Sequence, residues 1–138
     1  MFAAAFRWLM LWGVLLTCTQ AAAVDVPVGA ERLPLGRSLE YLFTPAERGS
    51  AEAMRDGGYR PADGEGLTFG FRSEVLWVRM TLHNPAPAAI ERVLQIEPVR
   101  LEEVSLFVPE AGGGYRRLDN GMHVALAERP VPTHAVAF

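Results

Sequence analysis

Two residues suited to gripping a ligand lie on one side of a predicted strand. Residues 75–84 read VLWVRMTLHN, so Trp77 and Arg79 alternate with aliphatic residues, which are Leu76, Val78, Met80 and Leu82. A period of two is typical of a half-buried strand, and we expect the aliphatic face to turn toward a core. An indole can stack on a sugar ring, and a guanidinium can donate to hydroxyls or to a carboxylate. Trp77 and Arg79 are therefore candidate ligand-binding residues.

Both residues also admit a structural role. Large aromatic side chains mostly pack in protein interiors, which favours Trp77 as a core residue of a β-sandwich. Arg79 would then pair with an acidic residue on a neighbouring strand. The sequence leaves both interpretations of Arg79 open.

A second candidate group follows three consecutive glycines at residues 112–114, where Tyr115, Arg116 and Arg117 begin a strand. The loop ends of β-sandwiches often carry ligand contacts, so Tyr115 and Arg117 join the candidate ligand site. A hairpin with a solvated pair of arginines explains the same residues, because charges beside a turn are mostly exposed to water.

The residues that could support catalysis are poorly placed for it. His83, His123 and His134 are far apart and have no metal-ligand spacing. Glu102 and Glu103 are adjacent, so on a strand they point to opposite faces and cannot act as an acid pair. No nucleophile has a base at a recognisable spacing, and no glycine loop has the spacing that cradles phosphate. We expect no enzyme activity, no metal and no cofactor.

The elements that must position these residues are mostly short strands. We predict strands at residues 38–43, 67–71, 75–84, 91–97, 102–109, 115–118 and 134–138. The sequences NPAP at residues 84–87 and GGG at residues 112–114 provide turn chemistry between them. Several short strands separated by turns indicate an all-β sandwich or barrel.

One short helix is predicted after the first of these strands. Residues 46–55 follow Thr44 and Pro45, which suit the N-cap and the first helical position, and Glu47 follows the cap by three residues. Two glycines at residues 57–58 end this helix.

The N-terminus predicts export. Residues 1–23 contain one charge, Arg7, then an apolar run at residues 8–16 and small residues at 21–23, which suit a cleaved signal peptide. A spanning helix needs ~20 continuous apolar residues, and this run is too short. A retained anchor and lipid attachment at Cys18 are the less favoured alternatives. After cleavage, residues 24–138 form one domain without cysteine, which excludes disulfides and thiolate zinc sites.

Composition is that of a globular domain, with 138 residues, 50% hydrophobic residues, 21% charged residues and a net charge of -3. All 13 basic residues are arginine. They form no basic stripe, so nucleic acid is not an expected partner.

Six segments, taken in order, resemble one protein family. They are LPLGRSLEYL at residues 33–42, LTFGF at 67–71, LWVRMTLHNP at 76–85, LEEVSLFVP at 101–109, YRRLDNG at 115–121 and ERPVPTHAVAF at 128–138. Together they are similar to the second type of extracellular sensor domain found on bacterial seven-transmembrane receptors with diverse intracellular signalling modules.

The resemblance implies a jelly-roll-like β-sandwich, similar to carbohydrate-binding modules, in the periplasm. In such receptors, seven membrane helices and a histidine kinase, a diguanylate cyclase or another output module follow the domain. The expected partner is a small, carbohydrate-like ligand. A free-standing exported carbohydrate-binding or interaction module is the alternative, and the coding DNA beyond codon 138 would distinguish the two.

The family pattern continues past residue 138, so the chain is expected to be an N-terminal fragment of its domain. Missing partner strands would leave unpaired edges and exposed apolar side chains. We therefore expect the isolated chain to be unstable or to aggregate, and a reversible, cooperative melt of a monomer would contradict this.

Overall fold

The computed structural model describes residues 23–45, 49–97 and 100–138. Except for residue 23, the predicted signal peptide at residues 1–23 lies outside the described residues. The described ranges contain, in chain order, strands β1 (Val24–Asp25) and β2 (Glu40–Thr44), helix α1 (Ala51–Met54), and strands β3 (Arg60–Pro61), β4 (Val75–Arg79), β5 (Leu82–His83), β6 (Gln95–Ile96), β7 (Val104–Pro109), β8 (Tyr115–Asn120) and β9 (Val136–Ala137). Two short 3-10 helices lie at Gly36–Ser38 and Leu126–Glu128.

The largest sheet has three antiparallel strands in the order β3-β2-β4. Its register places Glu40 opposite Arg79 and Leu42 opposite Trp77. Strands β7 and β8 form a hairpin, in which Pro109 lies opposite Tyr115. Two smaller sheets pair β1 with β5 in parallel and β6 with β9 antiparallel.

The turn of the β7–β8 hairpin follows from its glycines. Gly113 and Gly114 have φ angles of 85° and 84°. Residues with a Cβ rarely adopt this left-handed region, so the glycines allow the chain to reverse tightly. The hairpin predicted from residues 112–114 is confirmed.

The alternation in residues 75–84 is present, but the expected orientation of its faces is wrong. Trp77 and Arg79 are half-buried, whereas Leu76 and Val78 are 38% and 44% exposed. Within β4, Trp77 therefore packs against the neighbouring hairpin, while Leu76 and Val78 are exposed. The single long strand is also wrong, because β4 ends at Arg79 and residues 82–83 form β5, which pairs with β1 in a different sheet.

The buried interior of the described residues is small. Its buried hydrophobic side chains are Ala51, Val136 and Ala137. Asn120, only 1% exposed, donates from Nδ2 to the carbonyl oxygen of Ala137 at 2.8 Å, and its Oδ1 accepts from the N–H of Gly121 at 2.7 Å. One buried amide thus ties the β7–β8 hairpin to the β6–β9 sheet.

Two local predictions are corrected by the structure. Residues 67–71 form no strand, and Gly70 has a φ of 68°, which interrupts an extended chain. Of the helix predicted at residues 46–55, residues 46–48 lie outside the described residues. Helix α1 begins at Ala51, and its N-cap is Ser50, whose Oγ accepts from the N–H of Ala53 at 3.2 Å. Thr44 is instead the last residue of β2.

The all-β class with one short helix is confirmed. The jelly-roll arrangement stays a prediction. Across the described ranges, no helix combines the length and the apolar character needed to cross a membrane.

Candidate functional site

The three-stranded sheet meets the β7–β8 hairpin through a stack of two aromatic rings. The ring centroids of Trp77 and Phe107 are 5.6 Å apart, and their planes differ by 29°. The indole Nε1 of Trp77 donates to Oγ1 of Thr44 at 3.0 Å. We call this contact region between the sheet and the hairpin the seam.

The position of Trp77 depends on a close neighbour without a side chain. A Cβ placed on Gly49 would lie 2.7 Å from Cζ2 of the indole, closer than real contacts allow. The glycine therefore lets the backbone approach the ring closely. Trp77 therefore packs between the sheet and the hairpin, and its assignment to the core of a β-sandwich stays a prediction.

Arg79 is held by three neighbours. Its Nε and Nη2 lie 2.8 Å and 2.7 Å from the same oxygen, Oε2 of Glu40, on strand β2. Its Nη1 donates to the carbonyl oxygen of Arg55 at 3.0 Å, and its guanidinium lies 4.2 Å from the centre of the Tyr59 ring. The side chain of Glu40 is only 8% exposed, so Arg79 neutralises a carboxylate that water barely reaches.

The pKa of Tyr59 depends on its burial and on the nearby charge of Arg79. Burial raises the pKa of its hydroxyl above the ordinary value, while the positive charge of Arg79 acts in the opposite direction. Tyr59 therefore stays protonated at neutral pH and offers an O–H donor beside the guanidinium.

Tyr115, on the hairpin, is connected to the three-stranded sheet through Arg55, which follows helix α1. Its hydroxyl accepts from Nε of Arg55 at 3.2 Å, and the guanidinium lies 5.5 Å from the ring centre. This hydrogen bond is the largest cause that raises the pKa of Arg55 above its ordinary value. Because Arg55 also contacts Arg79 through its carbonyl, Tyr115 and Arg79 share one intermediary.

Arg117 lies on the hairpin side of the seam. Its guanidinium lies 5.9 Å from the ring centre of Phe107, and its Nε donates to Oδ1 of Asp119 at 2.7 Å. The same oxygen accepts from Oγ of Ser105 at 2.6 Å. The hydrogen bonds from Ser105 and then Arg117 lower the pKa of Asp119, so this carboxylate stays ionised at neutral pH.

The four residues predicted from two distant motifs thus meet at one place. Trp77 and Arg117 both contact Phe107, and Arg79 and Tyr115 both contact Arg55. The set of four, Trp77, Arg79, Tyr115 and Arg117, is called the seam cluster below.

Sequence reasoning missed the residues that connect the cluster. Glu40, Arg55, Tyr59 and Phe107 come from three different segments, and nothing in their spacing links them. The sequence sets only Phe107 apart: the alternation in residues 104–108 places it on the opposite face of its strand from the aliphatic residues. Arg116, adjacent to the cluster, is exposed.

The cluster has the donors that a polar ligand requires. The side chains of Arg79 and Arg117 are 38% and 60% exposed. A guanidinium has five N–H donors, so each keeps donors beyond those used within the protein. Groups of His, Cys, Asp and Glu that could hold a metal ion are absent from the described part of the chain.

Comparison with known proteins identifies the family. The family model described as 7TMR-DISM extracellular 2 matches residues 36–138. The chain belongs to this family. The resemblance predicted from the six segments is therefore confirmed, as is the predicted location outside the cytoplasmic membrane, because these are extracellular domains of seven-transmembrane receptors.

The match to 7TMR-DISM extracellular 2 covers the whole seam, including all four residues of the cluster. It makes the chain an extracellular sensor domain of the seven-transmembrane receptor type. Neither a curated protein nor a solved structure matches the chain.

Proposed function

We propose that this domain detects a small carbohydrate-like ligand in the periplasm for a membrane receptor with histidine kinase or diguanylate cyclase output. The observation that supports this most strongly is the meeting of the four candidate residues at one seam, inside a domain of a sensor family. The domain itself carries out no catalysis in this proposal.

The ligand would bind along the exposed side of the seam. Arg79 and Arg117 supply N–H donors, and the hydroxyl of Tyr115, which accepts from Arg55, still has its own hydrogen to donate. A sugar carries hydroxyls that both accept and donate, so it complements this set. Trp77 would support the site from inside by holding the sheet against Phe107.

Binding at the seam would also give a simple route to a signal. The ligand would contact the three-stranded sheet through Arg79 and the hairpin through Tyr115 and Arg117. A ligand that binds one relative position of two structural units better than another shifts their equilibrium toward that position. The seam would thus convert occupancy into a change of shape.

Calorimetric titration of the complete extracellular domain with a panel of neutral monosaccharides tests this function. Arg117→Ala and Tyr115→Phe should weaken the binding of a sugar by about tenfold each, which corresponds to about 1.4 kcal/mol. Arg37→Ala is the matched control, because Arg37 pairs with Glu65 on the open surface, at 78% and 81% exposure. If a sugar binds with equal affinity to the parent and to all variants, the seam is not its binding site.

A further inference from the structure

An open hollow lies beside the two-stranded β1–β5 sheet. It has a volume of about 210 Å³, and its lining surface is mostly apolar. Pockets for drug-sized ligands begin at ~300 Å³, so this hollow fits a smaller molecule. The residues that line it are Val26, Leu82, His83, Asn84, Ile90 and Arg92.

Two aliphatic side chains of the lining come from the region where β1 and β5 pair. Leu82 lies opposite Val24 in the parallel register. Val26 extends the pairing, because its N–H donates to the carbonyl oxygen of His83 at 2.8 Å. Side chains alternate between the faces of a sheet, so Val26 projects from the same face as Val24 and Leu82. Ile90 adds a third aliphatic side chain, and the hollow thus suits a short hydrocarbon chain.

A turn after β5 holds one wall of the hollow in place. Nδ2 of Asn84 donates to the carbonyl oxygen of Ala88 at 2.8 Å, and its Oδ1 accepts from the N–H of Ala86 at 3.0 Å. These two bonds fold residues 84–88 into a compact turn that leads directly to Ile90. The wall therefore needs little ordering when a ligand binds.

The guanidinium of Arg92 supplies a positive charge at the hollow. Its Nη2 donates to the carbonyl oxygens of Pro27 and Val28 at 3.1 Å and 2.5 Å, and its Nη1 donates to that of Glu91 at 2.8 Å. These neutral groups orient the cation, and no acid within the described ranges forms an ion pair with it. A guanidinium has five N–H donors, so Arg92, which is exposed, keeps donors for a ligand.

The carboxylate of Asp25 is turned away from the aliphatic side chains. Asp25 lies opposite His83 in the β1–β5 register, so both side chains project from the face that Val26 and Leu82 do not use. There, Oδ1 of Asp25 lies 2.7 Å from Nδ1 of His83. His83 therefore borders the hollow with its main chain, and Asp25 does not directly oppose an anion beside Arg92.

We propose that this hollow binds a short, branched aliphatic carboxylate of about five carbons. The hydrocarbon packs against Val26, Leu82 and Ile90, and the carboxylate pairs with the guanidinium of Arg92. The four residues of the seam cluster do not line the hollow. The site therefore goes beyond the proposed function.

The experiment is an NMR titration of the complete extracellular domain with isovalerate, with its uncharged amide isovaleramide, and with acetate. Isovalerate should bind saturably with a Kd on the order of 1 mM, as expected for a ligand of so few atoms. Isovaleramide lacks the charge and acetate lacks the branched chain, so each should bind at least about tenfold more weakly.

Two leucines form a matched pair of variants. Leu82 and Leu126 are 48% and 43% exposed, and only Leu82 lines the hollow. Leu82→Glu puts a negative charge where the ligand binds and should weaken isovalerate binding by about tenfold or more, whereas Leu126→Glu should leave it unchanged.

Arg92→Gln tests the charge separately from the local structure. It should reduce the preference for isovalerate over isovaleramide to about twofold or less, because glutamine cannot form the charge-assisted pair. Local disorder alone would weaken the binding of both ligands and leave their ratio unchanged.

The proposal is overturned if isovalerate does not bind, if the amide binds as tightly, or if Arg92→Gln keeps the parent's preference for the acid. It is also overturned if Leu82→Glu and Leu126→Glu have equal effects. Arg117→Ala should leave isovalerate binding unchanged, and a loss there would place the acid at the seam instead. None of these failures affects the seam titration with neutral monosaccharides.

Discussion

The indole of Trp77 stacks on the ring of Phe107, with centroids 5.6 Å apart. The two residues are 30 positions apart in sequence and belong to different sheets. Their contact joins the three-stranded sheet to the β7–β8 hairpin, and the residues proposed to bind ligand lie around it. The stack is therefore one of the contacts that hold the seam together, beside the link from Tyr115 through Arg55 to Arg79.

A double-mutant cycle measures the stack. We expect Trp77→Ala and Phe107→Ala to reduce the free energy of unfolding by about 2 kcal/mol each, since both side chains are half-buried. The two changes should be coupled by roughly 1 kcal/mol, the usual size of an aromatic pair. Urea unfolding of the complete extracellular domain gives all four values, and strictly additive effects would mean that the rings do not interact.

Removing Arg79 should cost more stability than removing the charge of its partner, Glu40. Arg79→Ala leaves the nearly buried Glu40 carboxylate unpaired and should cost about 2 kcal/mol, less than a fully buried pair because Arg79 is partly exposed. Glu40→Gln should cost less, and adding it to Arg79→Ala should restore part of the loss. Denaturant unfolding checks this, and an Arg79→Ala variant as stable as the parent would contradict it.

The buried amide of Asn120 should be among the most sensitive polar groups. Asn120→Ala removes its hydrogen bonds to Ala137 and Gly121, and we expect a loss of about 2 kcal/mol. Asn84 is the matched control, because it makes two comparable hydrogen bonds to backbone but is exposed. Asn84→Ala should cost less than about 1 kcal/mol, and equal costs would argue against the buried role of Asn120.

Asp119 predicts a dependence of stability on pH. Its pKa is lowered in the folded protein, so its contribution to stability is present above the unfolded value of about 3.9 and is lost as pH falls through the folded value. The stability difference between the parent and Asp119→Asn should therefore be constant near neutral pH and shrink below about pH 4. Thermal melts of both proteins across this range test the sign, and a difference that grows toward acid pH would refute it.

Local sequence signals predicted the elements whose structure is local. The glycines at residues 112–114 specify the hairpin, because Gly113 and Gly114 occupy the left-handed region that the turn requires. Strand β2 was predicted within two residues of its bounds. Alternation likewise identified β4, since a period of two needs no knowledge of the partner strands.

The features that the sequence did not predict depend on contacts between segments that are far apart in the chain. The buried face of β4 is set by Glu40 and Phe107, neither of which can be recognised as a partner from residues 75–84 alone. Thr44 looked like a helix cap, but it ends β2 and accepts from Trp77, so Ser50 caps the helix. Strand β6 is shorter than the strand predicted at residues 91–97, and its partner β9 cannot be recognised from those residues alone.

In the candidate site, too, local sequence signals predicted one part and contacts between distant segments determined the rest. Residue type and turn position were enough to select Trp77, Arg79, Tyr115 and Arg117. Their meeting depends on Arg55 and Phe107, which bridge segments far apart in sequence. The choice of residues was thus available from chemistry, whereas their common location required the fold.

The most direct test of ligand sensing at the seam uses the fluorescence of Trp77. Once the predicted signal peptide at residues 1–23 is removed, Trp77 is the only tryptophan of the chain, so its emission reports on the seam alone. Titration with a sugar that binds by calorimetry should change this emission in a saturable way, with the change lost in Arg117→Ala and kept in Arg37→Ala. Calorimetric binding with constant Trp77 emission and undiminished affinity in Arg117→Ala would contradict the account.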